Sequence, residues 1–325
     1  MEVLIGYCRP CKSYSILAND LKRMFDKNKI NSWFVFRETI GYPVRSIDYL
    51  IIFDSCIEVA LLPWLLKRLL AKKVVFWGDF EGTPYLSTVT KAFLNMNIVI
   101  SASQFFKKCL NEIGVKVDYI IPRWINPERL QPYNEPLIYK PYFLWVAGVD
   151  TRQKPESRKG EKQLIKIWNK FIEKYNDIYL VTVSDFPFEN YCKNIIRFNF
   201  GELDDHKLAT LYRFALAYLY TSHCEGFGMP PLEAMYLKCP LIYLDTPAVN
   251  EFAVGLKIEV EKDIQVYSIH GGLYQYYKFD IDEYVKAMEE TFKSNINDLI
   301  EKARRKSEEY IIDKVYMKLE EVLKW

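Results

Sequence analysis

Short apolar runs alternate with amphipathic stretches along nearly the whole chain. The runs Val3–Cys8, Ser32–Phe36, Tyr49–Phe53, Val74–Trp77, Asn97–Ser101 and Asp118–Ile121 read as strands of four to six residues. Between them lie helical patterns such as Ile16–Asp26, where Leu17, Leu21, Met24 and Phe25 share one face, and Phe105–Ile113. Strands that alternate with helices predict βαβ units and a parallel sheet. The rhythm repeats further on. Tyr142–Ala147, Ile178–Ser184, Ile195–Phe200, Ala217–Tyr220 and Leu241–Asp245 read as strands, with helices near Glu161–Lys174, Asp204–Phe214 and Pro231–Tyr236. A long charged helical pattern then runs from Ile281 to Leu323. Between the two halves Pro122, Pro127, Pro132, Pro136 and Pro141 crowd together. Proline lacks an amide donor and fixes φ, so this stretch predicts a linker. The expected organisation is α/β: a first Rossmann-like, doubly wound domain over 1–135, a second over 141–300, and a C-terminal helix over 301–325 that packs back on the first. Two such sheets would offer ligands a cleft where the carboxyl ends of their strands meet.

A chain of 325 residues is long enough for two hydrophobic cores, and with 50% hydrophobic and 26% charged residues it is neither disordered nor a disulfide scaffold. The formal charge is +2, too balanced for a dedicated nucleic-acid binder. The balance conceals an asymmetry: residues 1–140 carry a net +6 and residues 141–325 a net −4. Lys67, Arg68, Lys72 and Lys73 follow the apolar run Leu61–Leu66, which gives two readings, a core helix with a solvated basic end or a surface for anionic lipid headgroups. The seven cysteines are scattered and no secretory pattern precedes them, so reduced thiols and a cytoplasmic location are expected. Cys8 and Cys11 have no second pair and no nearby histidine to suggest a metal site.

The chemistry concentrates in Tyr220-Thr-Ser-His-Cys-Glu225-Gly226-Phe227-Gly228-Met229-Pro-Pro-Leu-Glu233. It follows a strand and opens a helix whose first turn suits Pro230 and Pro231. Gly226 and Gly228 allow positive φ and close backbone approach, and the helix start offers amides and a positive dipole end to a diphosphate. Glu225 and Glu233, eight positions apart, are placed as acceptors for sugar hydroxyls. The plainer alternative is a helix-start loop with a capping glutamate.

This block resembles the E-x7-E signature of retaining glycosyltransferases of family 4, which have the GT-B fold. Gly201-Glu-Leu-Asp-Asp-His-Lys-Leu-Ala, Cys239-Pro-Leu-Ile-Tyr-Leu-Asp and Ile121-Pro-Arg-Trp-Ile-Asn126-Pro127 are similar to neighbouring stretches of that family, from about residue 95 to 255. The resemblance implies that Glu225 holds hydroxyls of a donor sugar, that the Gly226–Gly228 backbone and Met229 line sugar and phosphate, and that Glu233 holds the nucleotide ribose. It also implies a basic pair after the first strand of the second domain. Arg158-Lys159 fits, although the loop from Gly148 to Gly160 also holds Arg152, which could take the arginine's place. Where many members carry a histidine-aspartate pair, this chain has Gly78-Asp79; Asp79 is either an orienting residue for donor or acceptor, or a turn aspartate. His223 reads as packed more readily than catalytic.

The implied reaction moves a sugar from a nucleotide-sugar donor to a hydroxyl of a glycan, lipid-linked or protein acceptor, with retention at the anomeric carbon. Fixed charge on Arg158 and Lys159 would stabilise the departing diphosphate, and the chain lacks an Asp-x-Asp of the kind that holds a metal-diphosphate, so no metal and no cofactor are expected. The rival reading is a non-catalytic nucleotide-sugar-binding GT-B module.

Overall fold

A computed structural model describes residues 1–8, 12–37, 47–148, 158–261, 264–269 and 271–323. The chain divides into two compact units. One comprises Met1–Arg123, Ser268–Tyr274 and Ile312–Trp325; the other comprises Trp124–Tyr267 and Gln275–Ile311.

In the first unit β1 (Glu2–Tyr7), β2 (Asn31–Phe36), β3 (Ile47–Phe53), β4 (Ala71–Gly78), β5 (Gly82–Pro84), β6 (Ile98–Ser101) and β7 (Tyr119–Ile120) alternate with α1 (Lys12–Lys27), α2 (Glu58–Lys67), α3 (Thr88–Asn95) and α4 (Gln104–Glu112). The sheet order is β2-β1-β3-β4-β6-β7, with parallel pairing throughout. Strands covered on both faces must be apolar along their length. Hence Val3, Ile5, Leu50, Ile51, Ile52, Val75 and Phe76 are all buried. Ser87 and Ser103 cap α3 and α4 by accepting from the amides of Thr90 and Phe106.

The apolar run after β3 departs from expectation. Its helix α2 buries Ala60, Leu61 and Trp64 but leaves Val59 73%, Leu62 45% and Leu66 70% exposed, and Leu69 just beyond it 85% exposed. These four positions fall within about 80° of one another around a helix axis, so they form one stripe. Lys67, expected at a solvated basic end, is instead interior: its ammonium donates to the carbonyls of Phe36 and Arg37, the latter at 2.7 Å. The Arg68 side chain lies outside the described residues.

In the second unit β8 (Tyr142–Val146), β9 (Tyr179–Val183), β10 (Ile195–Phe198), β11 (Tyr218–Tyr220), β12 (Leu241–Leu244) and β13 (Leu256–Ile258) alternate with α5 (Glu161–Ile172), α6 (Asp205–Phe214) and α7 (Met229–Tyr236). The order is β10-β9-β8-β11-β12-β13, again parallel. This is the 3-2-1-4-5-6 dinucleotide-fold order, in which strand succession reverses between the first and fourth strands, here β8 and β11. Its core packs Phe143 and Trp145 of β8 against Leu164, Ile167, Trp168 and Phe171 of α5, with Leu219 and Ile242 from the neighbouring strands.

A hairpin-like pair follows, β14 (Gln265–Ile269) and β15 (Gly272–Tyr276). Gly272–Tyr274 pairs antiparallel with β5 inside the first unit. The long closing pattern is three helices, α8 (Ile281–Lys293), α9 (Asn297–Ser307) and α10 (Ile312–Leu323). The last belongs to the first unit, where Tyr49 donates its hydroxyl to the Leu323 carbonyl at 2.6 Å.

Candidate active site

The reversal point between β8 and β11 is where a doubly wound sheet splits its crossovers to opposite faces, and there the chain assembles its charged residues. The segment after β8 returns at Arg158-Lys159-Gly160, and the segment after β11 runs through Thr221-Ser222-His223. The two are stitched together. The His223 amide donates to the Arg158 carbonyl at 2.8 Å, and the Thr221 hydroxyl donates to the Lys159 carbonyl at 2.8 Å. Trp145 Nε1 in turn donates to Thr221 Oγ1 at 3.0 Å. The contact is so close that a Cβ on Gly160 would lie 2.1 Å from the Thr221 carbonyl oxygen, and Gly160 has φ +73°. Only glycine fits both demands.

This stitching delivers both cations to one carboxylate. Arg158 Nη1 donates to Glu225 Oε2 at 2.8 Å and to the Cys224 carbonyl at 3.3 Å, and Lys159 Nζ pairs with Glu225 Oε1. Glu225 is buried. Burial by itself would raise its pKa, but the Arg158 and Lys159 charges, with hydrogen bonds from Lys159 and Ser222, outweigh that and hold the carboxyl down at about 2. The cluster is therefore ionised at neutral pH and carries one net positive charge.

Gly228 starts α7 with φ +103°, and a Cβ there would meet Val249 Cγ2 at 2.6 Å. Met229 opens the helix, and Phe227 stacks on Phe252 at 5.0 Å with Tyr310 beside them. The loop amides and helix start that follow Glu225 form the anion-favouring end of α7.

Glu233, one turn into α7, is buried and already engaged: Arg129 Nη2 donates to its Oε1 at 3.2 Å, and Arg129 Nη1 pairs with Asp205 Oδ1 at 3.2 Å. Burial raises the Glu233 pKa against the opposing pull of Arg129. Arg129 sits in the proline-rich stretch and carries no helical or strand periodicity, so no sequence signal pointed to it. Gly148 is exposed two residues after β8, and a Cβ there would lie 3.3 Å from the Phe200 ring. Arg152 lies outside the described residues. His223 is packed: its ring stacks on Tyr276 at 4.9 Å, and its Nδ1 accepts from the Tyr277 amide at 3.3 Å.

Asp79 belongs to the other unit, immediately after β4. Its Oδ2 accepts from Arg123 Nε and Nη2 at 3.1 and 3.0 Å, and its Oδ1 accepts from the Tyr14 hydroxyl at 2.7 Å. Arg123 is buried among Tyr14, Phe53 and Trp77. A side chain at Gly78 would have its Cβ 2.3 Å from the buried Phe76 ring, so a histidine there would force that ring to move. Among the described residues no group of histidine, cysteine and carboxylate side chains is arranged to hold a metal ion, and no helix is long and apolar enough to cross a membrane.

Residues 154–308, which contain the whole Arg158–Glu225–Glu233 constellation, match the model of the family described as glycosyl transferases group 1. That segment, just under half of the chain, is similar to group 1 glycosyltransferases. The chain is 26% identical over 247 residues to a putative glycosyltransferase of Acidianus filamentous virus 2, covering 72% of this chain and 71% of that protein. In fold it is similar to the sucrose-phosphate synthase of Thermosynechococcus elongatus, with a TM-score of 0.70 at 13% identity over 100% of this chain and 98% of that one. It is also similar to an Anabaena protein solved with UDP and glucose, with a TM-score of 0.65 at 12% identity over 100% and 99% of the two chains. The two Rossmann-like units are those of the GT-B fold.

Proposed function

We propose that this protein is a retaining, hexosyl-transferring glycosyltransferase of the E-x7-E kind that works without a metal. The observation that carries the reading is the Arg158–Lys159–Glu225 cluster, held by backbone stitching at the reversal point of a 3-2-1-4-5-6 sheet and followed directly by the start of α7. Glu225 neutralises one of the two cations. A nucleotide sugar entering here presents its diphosphate to Arg158, Lys159 and the α7 amides, and its hydroxyls to Glu225. As the anomeric C–O bond to the diphosphate breaks, the two fixed cations take up the charge developing on the leaving oxygen. The acceptor hydroxyl forms the new C–O bond from the face the diphosphate leaves, and its proton passes to that leaving oxygen. Glu233 receives the ribose hydroxyls, with Arg129 as the residue that positions its carboxylate. The Anabaena neighbour solved with UDP supports a uridine nucleotide as the first donor class to try.

Asp79, restrained by Arg123 and Tyr14, serves the acceptor or donor as an orienting group. The exposed stripe Val59–Leu62–Leu66–Leu69, on a unit whose sequence is net basic, supports peripheral contact with an anionic membrane surface and hence a lipid-linked acceptor.

The test is a panel of nucleotide sugars incubated with the protein in EDTA, read by thermal shift and by release of free nucleotide. The reading expects one donor to stabilise the protein and turn over slowly, both effects being lost in Arg158→Gln. Stabilisation without turnover in the presence or absence of added glycosides would favour the non-catalytic binding module. No response to any donor would overturn both.

A further inference from the structure

Within the second unit lies a recess that the donor chemistry does not use. It opens between the first two turns of α5, the base of the β14–β15 pair and the approach to α8, and has a volume of about 270 Å³. Its walls combine two kinds of group. Tyr267, Tyr276 and His223 supply rings, and Gln163, Lys166 and Gln265 supply donors and acceptors. The rings are fixed in a nested arrangement: Tyr267 meets Tyr276 edge-on at 4.9 Å and 77°, and Tyr276 stacks on His223 at 4.9 Å and 27°. The Tyr277 amide pins the His223 ring by donating to Nδ1, which leaves the ring proton on Nε2 in the neutral form. Gln265 is oriented by the Tyr267 hydroxyl, which donates to its Oε1 at 2.9 Å.

We propose that this recess is a saccharide subsite that holds a pyranose ring of the acceptor or of the growing product. Its volume of about 270 Å³ lies just under the range of about 300–1,000 Å³ usual for whole small-ligand clefts, which suits a single sugar ring. A pyranose has apolar C–H faces, which suit aromatic walls, and a rim of hydroxyls, which suits amides that donate and accept in a fixed plane and an ammonium that donates. Lys166 and Lys278 share the lining with Glu261, so charged groups of both signs are present for the hydroxyls. The location supports a role in the same reaction. His223 lies two residues before Glu225, and its own amide holds the Arg158 carbonyl. A sugar packed in the recess therefore touches the segment that sets the Arg158–Lys159–Glu225 cluster. The inference rests on the glycosyltransferase reading for the source of the sugar, but not for the recess itself.

The experiment is saturation-transfer NMR on the full chain with methyl α-glucoside, methyl α-mannoside, methyl N-acetyl-α-glucosaminide and the matching trisaccharides. Tyr267→Ala and Gln265→Ala are measured alongside, with circular dichroism confirming the fold. Both positions are partly or fully exposed at the rim, so folding is expected to survive. The proposal expects at least one glycoside to bind, and its Kd to rise about tenfold in Tyr267→Ala. The donor-induced thermal shift is expected to stay as in wild type. Absence of any glycoside signal, or signals that neither variant alters, would overturn the subsite. The donor shift in the same samples separates the two readings: a shift without glycoside binding sinks only the subsite, and glycoside binding without any donor shift sinks only the transferase.

Discussion

Replacing Glu225 by glutamine removes one negative charge from between two cations while keeping the shape of the side chain. The folded-state pKa of about 2 lies below the ordinary 4.5. At about 1.36 kcal/mol per pH unit, that gap corresponds to about 3 kcal/mol of stability at neutral pH. The independent expectation for leaving buried cations without their partner is about 3–5 kcal/mol, the same order. Because the folded pKa is depressed, this contribution is present above pH 4.5 and is lost as pH falls toward the folded value. By about pH 3.5, roughly two fifths of it has gone. The stability difference between wild type and Glu225→Gln should therefore shrink from about 3 kcal/mol at neutral pH to about 2 kcal/mol at about pH 3.5. Urea unfolding at several pH values, followed by both circular dichroism and tryptophan fluorescence, measures it. A difference that does not change with pH, or a variant more stable than wild type, would refute the claim that the carboxylate is held ionised by Arg158 and Lys159.

Gly160→Ala should destabilise the second unit by at least about 2 kcal/mol, since it adds strain at positive φ to a clash with the Thr221 carbonyl, and it should abolish donor-induced stabilisation; urea titration and thermal shift report the two effects. Nucleotide binding should weaken as pH falls through the raised pKa of Glu233, at a higher pH than an ordinary carboxylate would set. Arg129→Met should move that transition higher still, as calorimetric titration of the responding nucleotide across pH would show. Leu66→Glu with Leu69→Glu should release the protein from anionic phospholipid vesicles in a flotation assay and leave turnover of a soluble donor unchanged. Equal flotation of variant and wild type would remove α2 as the contact.

Much of the architecture was legible because parallel strands buried on both faces must be apolar throughout, and runs such as Val74–Trp77 and Tyr142–Ala147 are. The glycines and carboxylates of 225–233 were legible because their spacing around a helix start is a local property. What escaped is long-range. The run Ile57–Leu70 is apolar on every side, so its periodicity could not show that Leu62, Leu66 and Leu69 face outward while Lys67 turns in to cap the carbonyls of Phe36 and Arg37. Arg123 and Arg129 sit among prolines without periodic context, yet they partner Asp79 and Glu233 across 44 and 104 positions of chain. The closing helical pattern read as continuous because its breaks, near Asn295 and Ile311, contain neither glycine nor proline. The pair β14–β15 was missed because tyrosines at 267, 274, 276 and 277 are interleaved with polar residues on a stretch that no parallel-sheet pattern predicts.

The most direct measurement is a proton NMR time course of the responding nucleotide sugar with the purified protein in EDTA. Its anomeric signals show both whether the donor turns over and in which configuration the sugar first appears. The account predicts turnover in the chelator, abolished in Arg158→Gln, with the released sugar appearing first in the donor's own anomeric form. Turnover only after a divalent metal is restored, or first appearance of the opposite anomer, would contradict it.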